Sequence, residues 1–413
     1  MDVKVVIHIK VFLNGLKNNV PLDEKILLGL TAAIFCGPVV TIVALVALTL
    51  YLIYSQKMAS LILDRRSGSI ILIAFCVLGM VVPVFCDNIR GFFVGIAVAM
   101  IALAALYIRN TVTKPRFEKM IDLACAASIV CAGLALGQQL LFGADVLYRP
   151  DAVFTNANYY ATIIEFVVIL CAYKLLGQNS RRRKLFYSGT IAANLVGLYL
   201  CECRTAWTVI FAAVLMMLFV NKRYKALAIQ MVVGGCALGV LYLVPQMLPR
   251  LTQVGDDFYV RASIWKTALH GISQHPLLGQ GGMTYMQVFP QVGGLATAHA
   301  HNLLLDILLN YGLVGLGLLV TYFSRFGKKL ITQCFGRDRR FFSLILCFAA
   351  AVMIHGVLDV TIFWLQTGLM FAIVCGGIGC FEPGREEARL YHYHPIPAPN
   401  YTMRRLQPHY RKK

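Results

Sequence analysis

The sequence predicts an all-α fold: a polytopic transmembrane helical bundle of about 11 to 12 spans, with one long extracytoplasmic loop carrying short amphipathic helices. Three observations lead there. The 413 residues are 59% hydrophobic and only 14% charged, well below the ~25% charged share of a soluble domain. The apolar residues gather in runs near the ~20 residues a helix needs to cross a bilayer. The Lys and Arg surplus behind the net charge of +19 falls in alternate loops, which is a topology signal and argues against a nucleic-acid partner.

In chain order, Val3 to Leu16 is interrupted by Lys4, His8 and Lys10 and lacks a small-residue cleavage site, so no cleavable signal peptide is expected. Ile26 to Tyr54 is one apolar run broken by Gly37-Pro38, compatible with a kinked helix or with a tight hairpin. Spans follow near Ile70–Phe85, Phe92–Ile108, Met120–Leu141, Tyr159–Leu176, Leu185–Cys203, Ala206–Val220 and Ala226–Val244. A long loop then runs to His299, and spans near Leu303–Phe323, Phe341–Leu358 and Gln366–Cys380 precede a polar tail. Basic loops at Arg65-Arg66, Lys114–Arg116, Arg181–Lys184, Asn221–Lys225 and Lys328–Arg340, with the tail, mark the cytoplasmic side. The loops at 142–157, around Arg204 and at 245–300 are then outside. The N-terminus is outside if the first run is one helix and inside if it is a hairpin; Lys4 and Lys10 favour the hairpin. No internal repeat of the transporter type is visible. The organisation expected is N-terminal helices over 1–144, a catalytic membrane region over 145–380 and a basic cytoplasmic tail over 381–413.

The thirteen cysteines are scattered singly through apolar segments without a C-x-x-C pair or metal-ligand spacing, so they read as small hydrophobes. Chemistry gathers instead on the outer side. The loop from Pro245 to Ala300 carries Arg250, Asp256, Asp257, Arg261, Lys266 and His270. Within it, Ile264, Trp265, Ala268, Leu269 and Ile272 share a helical face, as in an amphipathic helix lying on the membrane, with Trp265 anchoring and Arg261 snorkelling. Arg204 falls where two spans leave almost no loop, on the side where arginine is depleted; it suits a phosphate or a lipid head group. Arg149 precedes a span, followed by Asn156 and Asn158, which are helix caps or sugar-binding amides.

Three outer arginines would neutralise the two to three charges of a diphosphate, and no D-x-D cluster on that side offers to hold a metal in their place. His299 and His301 lie where the loop enters a span, with Asn302 as a natural N-cap and Asp306 in the first turns. They face one side if the chain is extended there and diverge if the helix has begun. Within the membrane, Glu165, Asp122 and the His355/Asp359 pair are either functional groups or interhelical pairs.

His301-Asn302, nine residues, Gly312, two residues and Gly315 match the H-[NSQ]-x9-G-x-x-[GTY] pattern of the bacterial O-antigen ligases and the related O-antigen polymerase-like membrane proteins. The stretch from Arg261 to Gly281, with its arginine, tryptophan and H-P-L-x-G, is similar to that family's outer loop. C-R-T-A-W at 203–207 resembles its S-R-x-x-W/L turn, with Cys203 in the place of a small polar residue. R-P-D-A-V-F-T-N-A-N resembles its R-x-x-G-x-F-x-N-x-N segment, with Ala152 where glycine is common. The resemblance covers roughly residues 145 to 380. It implies a multi-spanning, GT-C-like, metal-independent glycosyltransferase of the cytoplasmic membrane that needs no cofactor and works on the outer face. The donor would be an undecaprenyl-diphosphate-linked oligosaccharide. The acceptor would be a glycan, lipid or protein hydroxyl, with lipopolysaccharide, capsule or exopolysaccharide as product. By the same resemblance Arg204 and Arg261 would stabilise the departing diphosphate, and His301 would be the general base or a diphosphate partner. Arg149, Asn158, Trp265, His299 and Asn302 would contact substrate. A flippase or exporter of lipid-linked oligosaccharide is the alternative from another class. It fits less well because the distinctive polar residues gather at one face and do not line a midplane cavity. A non-catalytic scaffold would leave the outer arginines unexplained.

Overall fold

The computed structural model describes residues 20–64, 67–145, 148–247 and 254–381. Arg65, Arg66, Arg250, the N-terminal Lys4, His8 and Lys10, and the basic tail beyond 381 lie outside them. Among the described residues there is no strand, and five helices are long and apolar enough to cross a membrane. Several shorter apolar helices, such as Pro38–Tyr54 and Arg204–Val220, accompany them. This is the all-α polytopic membrane bundle that the apolar runs predict.

The undecided first run is two helices, α1 (Leu22–Ile34) and α2 (Pro38–Tyr54), packed on one another. Gly37 takes φ 99°, open to glycine, and Pro38 supplies the pre-set φ of a helix's first residue. The hairpin is therefore the correct alternative. After a short α3 (Met58–Ile62), α4 (Ser69–Phe85) and α5 (Ile89–Thr111) pair, and α6 (Lys114–Phe142) follows. At the centre stands α7 (Ala157–Gly177), buried along nearly its whole length. It is walled by α6, α8 (Arg181–Leu200), α9 (Arg204–Val220) and α14 (Arg339–His355). By contrast α10 (Tyr224–Leu243) has no buried residue and lies along α9, as suits a helix whose partner is lipid.

The loop from 245 to 300 is largely helical. Its main element is α11 (Val254–Gln274), which has a packed face as well as an exposed apolar one. It packs on α13 (Leu303–Leu330), with the four-residue α12 (Tyr285–Val288) between. Ile264 and Ala268 are buried with Tyr285, Val288 and Leu309, whereas Leu269 is exposed. The inward stripe is thus Ile264, Ala268 and Ile272. The described residues close with α15 (Leu365–Gly376) and a short 3-10 helix over Gly377–Phe381.

The first residues of α7, α9 and α13 and the last of α14 meet at one end of the bundle. The basic stretches 181–184, 221–225 and 328–340 follow or precede the opposite ends of these same helices.

Candidate functional site

At that end a cavity of about 160 Å³ is lined by Arg149, Arg204, Arg261, His301, His355 and Asp359, among others. Five separate segments supply them. Each is held by a local feature of the sequence.

Arg149 comes from the loop before α7. The backbone there passes through Ala152 at φ 52°, a left-handed conformation that explains why glycine is common at this position and that Ala152 adopts under some strain. Gln138 of α6 secures it, accepting from the Ala152 N–H at 2.8 Å and donating to its carbonyl at 3.0 Å. Arg149 then donates to the Cys201 carbonyl and to Asn158, both at 2.9 Å. Asn156 is the N-cap of α7, accepting from Asn158 N–H at 2.8 Å. Asn158 is no cap: its side-chain amide links Arg149 to Asp359 through a 2.6 Å bond.

Arg204 does not sit in the turn between α8 and α9; it opens α9. The turn is made by Cys201, Glu202 (φ 53°) and Cys203, and Cys203 makes no side-chain cap. A small polar residue would cap here, which is the physical content of that family preference. Arg204 is ion-paired with Asp257 of α11. That carboxylate occupies the guanidinium fork much as a phosphate oxygen would. Arg261, one turn further along α11, donates to the Leu358 carbonyl at 3.1 Å and the Asp257 carbonyl at 3.3 Å.

His299 and His301 lie before α13 in chain that is neither helical nor fully extended, and the fold brings their side chains to one side. Their rings are 4.4 Å apart and both approach Asp359, His301 Nδ1 at 3.1 Å and His299 Nε2 at 3.7 Å from Oδ1. His301 adopts φ 47°, a strained position for a non-glycine residue that its surroundings must impose. They do so from several directions. Asp306 accepts from the Ala300 N–H between the two histidines at 3.0 Å, the Trp265 indole donates to the His301 carbonyl at 3.5 Å, and Asn302 caps α13 through Leu305 N–H while donating to Val357. Trp265, Asn302 and His299 do not line the cavity. The first two shape the backbone that carries His301.

Asp359 follows the end of α14. Burial alone would push its carboxyl up, but the His301 hydrogen bond and the charges of His299 and His301 hold it well below the usual carboxylate range. An ionised Asp359 accepts the Nδ1 hydrogen of His301 and fixes the tautomer with a free lone pair at Nε2. That nitrogen lies 3.1 Å from the Thr297 hydroxyl, which then donates to it as an incoming hydroxyl would. The sequence suggested pairing Asp359 with His355 one turn away. The structure parts them, giving Asp359 to His299 and His301 and His355 to Glu165 of α7. Asp122 is paired as well, with Lys174 and Tyr187.

His299, His301 and Asp359 also bring three ligand-capable atoms within 4.8 Å of one another. The donor set contains a single carboxylate, and two of its members, His301 and Asp359, share the cavity with Arg204 and Arg261, whose charges oppose a divalent cation.

Burial lowers the imidazole of His299 to about 4, against the smaller pull of Asp359. The unfolded chain therefore binds a proton between about 6.5 and 4 that the folded chain refuses. Stability is full above this window and falls as the pH drops through it. The apparent melting temperature in detergent is expected to decline from pH 7 to pH 4.5, and less steeply in His299→Gln. Parallel profiles would show that His299 is not the group responsible.

Residues 189–320 match the O-antigen ligase family model. An O-antigen ligase of Pseudomonas aeruginosa is 34% identical over 122 residues, which cover 29% of this chain and 29% of that protein. The family-model segment contains Arg204, Arg261, Trp265, His299, His301 and Asn302, so the resemblance read from the histidine motif is borne out there. Arg149, Asn158 and Asp359 lie outside it and join the site through the fold alone.

Proposed function

We propose that this protein transfers or polymerises a glycan from an undecaprenyl-diphosphate donor onto an acceptor hydroxyl at the extracytoplasmic face, in cell-surface polysaccharide biosynthesis. One observation carries the reading: a carboxylate-held imidazole and three arginines open onto one cavity at the bundle end away from the basic loops. The positive-inside rule makes that end the outer one. The region doing the work is then 145–380.

In this reading the acceptor oxygen attacks the anomeric carbon while His301 Nε2 takes its proton, Asp359 supporting the imidazolium that forms. The bond from that carbon to the diphosphate oxygen breaks and its electron pair leaves with the diphosphate. Arg204 and Arg261 meet the developing charge, Asp257 yielding the Arg204 fork to the phosphate. Arg149, steadied by Asn158, adds a third positive charge. The arginines do what a divalent ion would otherwise do, so turnover is expected to persist in EDTA.

The test is purified protein in detergent with undecaprenyl-diphosphate oligosaccharide and candidate acceptors. Wild type is expected to turn over, and Arg204→Ala and Arg261→Ala each to lose ~10²–10³-fold in kcat. Turnover unchanged in both variants would sink the site assignment. No turnover with any acceptor, together with lipid-linked glycan crossing vesicles, would make the protein a flippase. A product extended once marks a ligase; a ladder marks a polymerase.

A further inference from the structure

Beneath the arginines lies a pair that the mechanism above leaves unused. His355 ends α14 and Glu165 stands two turns into α7; they are 1% and 0% exposed. His355 Nδ1 is 2.6 Å from Glu165 Oε1, while Glu165 Oε2 has no hydrogen-bond partner. An ionised carboxylate in such a place, with one oxygen orphaned, is costly unless a proton or a cation accompanies it. The pair is therefore most stable holding one proton between its two members. If that proton is on Glu165, it is donated to Nδ1 and the neutral imidazole carries its hydrogen on Nε2. If it is on His355, both ring nitrogens carry hydrogen. Either way Nε2–H is a donor.

That donor has somewhere to point. His355 lines the cavity, and with Nδ1 engaged by Glu165 the ring nitrogen left for the cavity is Nε2. The charged groups around the imidazole are Glu165 from α7, Asp359 from the loop beyond α14 and Arg261 from α11. Arg261 and Arg204 stand on the same cavity wall, so an anion drawn to them would reach His355 as well.

We propose that His355 is a further group for the leaving diphosphate, donating from Nε2 to a phosphate oxygen, and that Glu165 is the positioning residue that keeps the hydrogen on that nitrogen. The inference rests on the transferase reading above. In the step described there, negative charge grows on the diphosphate as its bond to the anomeric carbon breaks. A fixed donor at that point is stronger in the transition state than in the ground state, so its loss lowers kcat more than it raises KM.

Two amide substitutions separate this role from a purely structural one. The Gln amide nitrogen falls near the place of Nε2, and the Asn nitrogen near that of Nδ1. His355→Gln is expected to keep transfer within ~10-fold of wild type, and His355→Asn to lose ~10²-fold in kcat with KM for the donor changed by less than ~3-fold. Glu165→Gln, which keeps a partner for Nδ1 but removes the titrating carboxyl, is expected to lower kcat by ~10-fold and to alter its pH profile. Monodispersity and apparent melting temperature in detergent confirm that each variant is folded. Folded His355→Asn turning over like wild type, or exceeding His355→Gln, overturns the proposal. Wild type and His301→Ala, run alongside, separate the two levels: no turnover by wild type with any acceptor defeats the transferase reading itself, transfer unaffected in His301→Ala removes the base assignment, and transfer lost in His301→Ala but intact in His355→Asn removes only His355.

Discussion

His301→Ala is expected to lower kcat by ~10²–10⁴-fold, the range associated with losing a positioned general base, while folded yield stays near that of wild type. The imidazole is half-buried at the mouth of the cavity and its ring makes two polar contacts, to Asp359 and Thr297, so truncation removes chemistry without opening a core. The stronger form of the prediction concerns the dyad. Asp359→Asn keeps a group of the same size, but its amide can donate to Nδ1 and so turn the imidazole to the tautomer with hydrogen on Nε2. That variant is expected to lose on the order of 10²–10³-fold. Because the two residues act as one base, the double variant should be hardly worse than His301→Ala alone. Steady-state transfer with a lipid-linked donor reads all three. A His301→Ala enzyme within tenfold of wild type, or strictly multiplicative losses, would show that His301 is not the base that Asp359 orients.

Much of this site was legible along the chain, for reasons that can be named. Arg204 and Arg261 stand out because arginine is scarce on the outer side of a membrane protein, and the His301 motif because glycine recurs at fixed spacing. Asp359 was not legible in its role: it lies 58 positions from His301, and only the packing of α14 on α7 and α9 brings it under the histidines. Its neighbour His355, one turn away in sequence, drew attention as its partner because helical spacing is the only geometry a sequence offers. Arg149 was weakened by the alanine at 152. The structure shows the left-handed backbone kept there at an energetic cost, with Gln138 holding it by both its polar groups. Trp265 on α11 and Asn302 at the start of α13 both read as substrate contacts by resemblance, and their polar atoms go to the His301 carbonyl, to Val357 and to the cap of α13. The same residue types serve binding and backbone support, and a sequence does not distinguish them. The Gly37-Pro38 break likewise fits either a kink or a hairpin, and the choice is made by the packing of α1 on α2.

Gly312→Ala is expected to be more damaging than any surface change in the chain, which explains the glycine of the histidine motif in physical terms. Gly312 interrupts α13 with φ 63° and ψ −168°, a conformation open essentially to glycine. The break frees backbone groups for the loop that follows α11: Leu313 N–H donates to the Pro276 carbonyl at 2.9 Å and Val314 N–H to Leu277 at 3.0 Å. A Cβ on Gly312 would collide with the Leu277 carbonyl, and one on Gly279 (φ 65°) with the Asn310 backbone. The H-P-L-L-G stretch is thus pressed against the kink from one side. From the other, Asn310 accepts from Thr284 N–H and donates to Asp306, whose second oxygen holds Ala300 beside His301. The nine residues between Asn302 and Gly312 set the distance from this clamp to the loop that carries His301, about 14 Å of helix. Alanine at 312 must therefore either unclamp the loop or strain it, at a cost on the order of 4 kcal/mol. Gly317→Ala, five residues on in regular helix with nothing within 4 Å of the new methyl, is expected to be neutral or stabilising by ~0.4–1 kcal/mol. Fluorescence-detected size exclusion and melting in detergent compare the two. A Gly312→Ala protein that melts and transfers like wild type would mean that the kink is not what sets the height of His301 above the cavity.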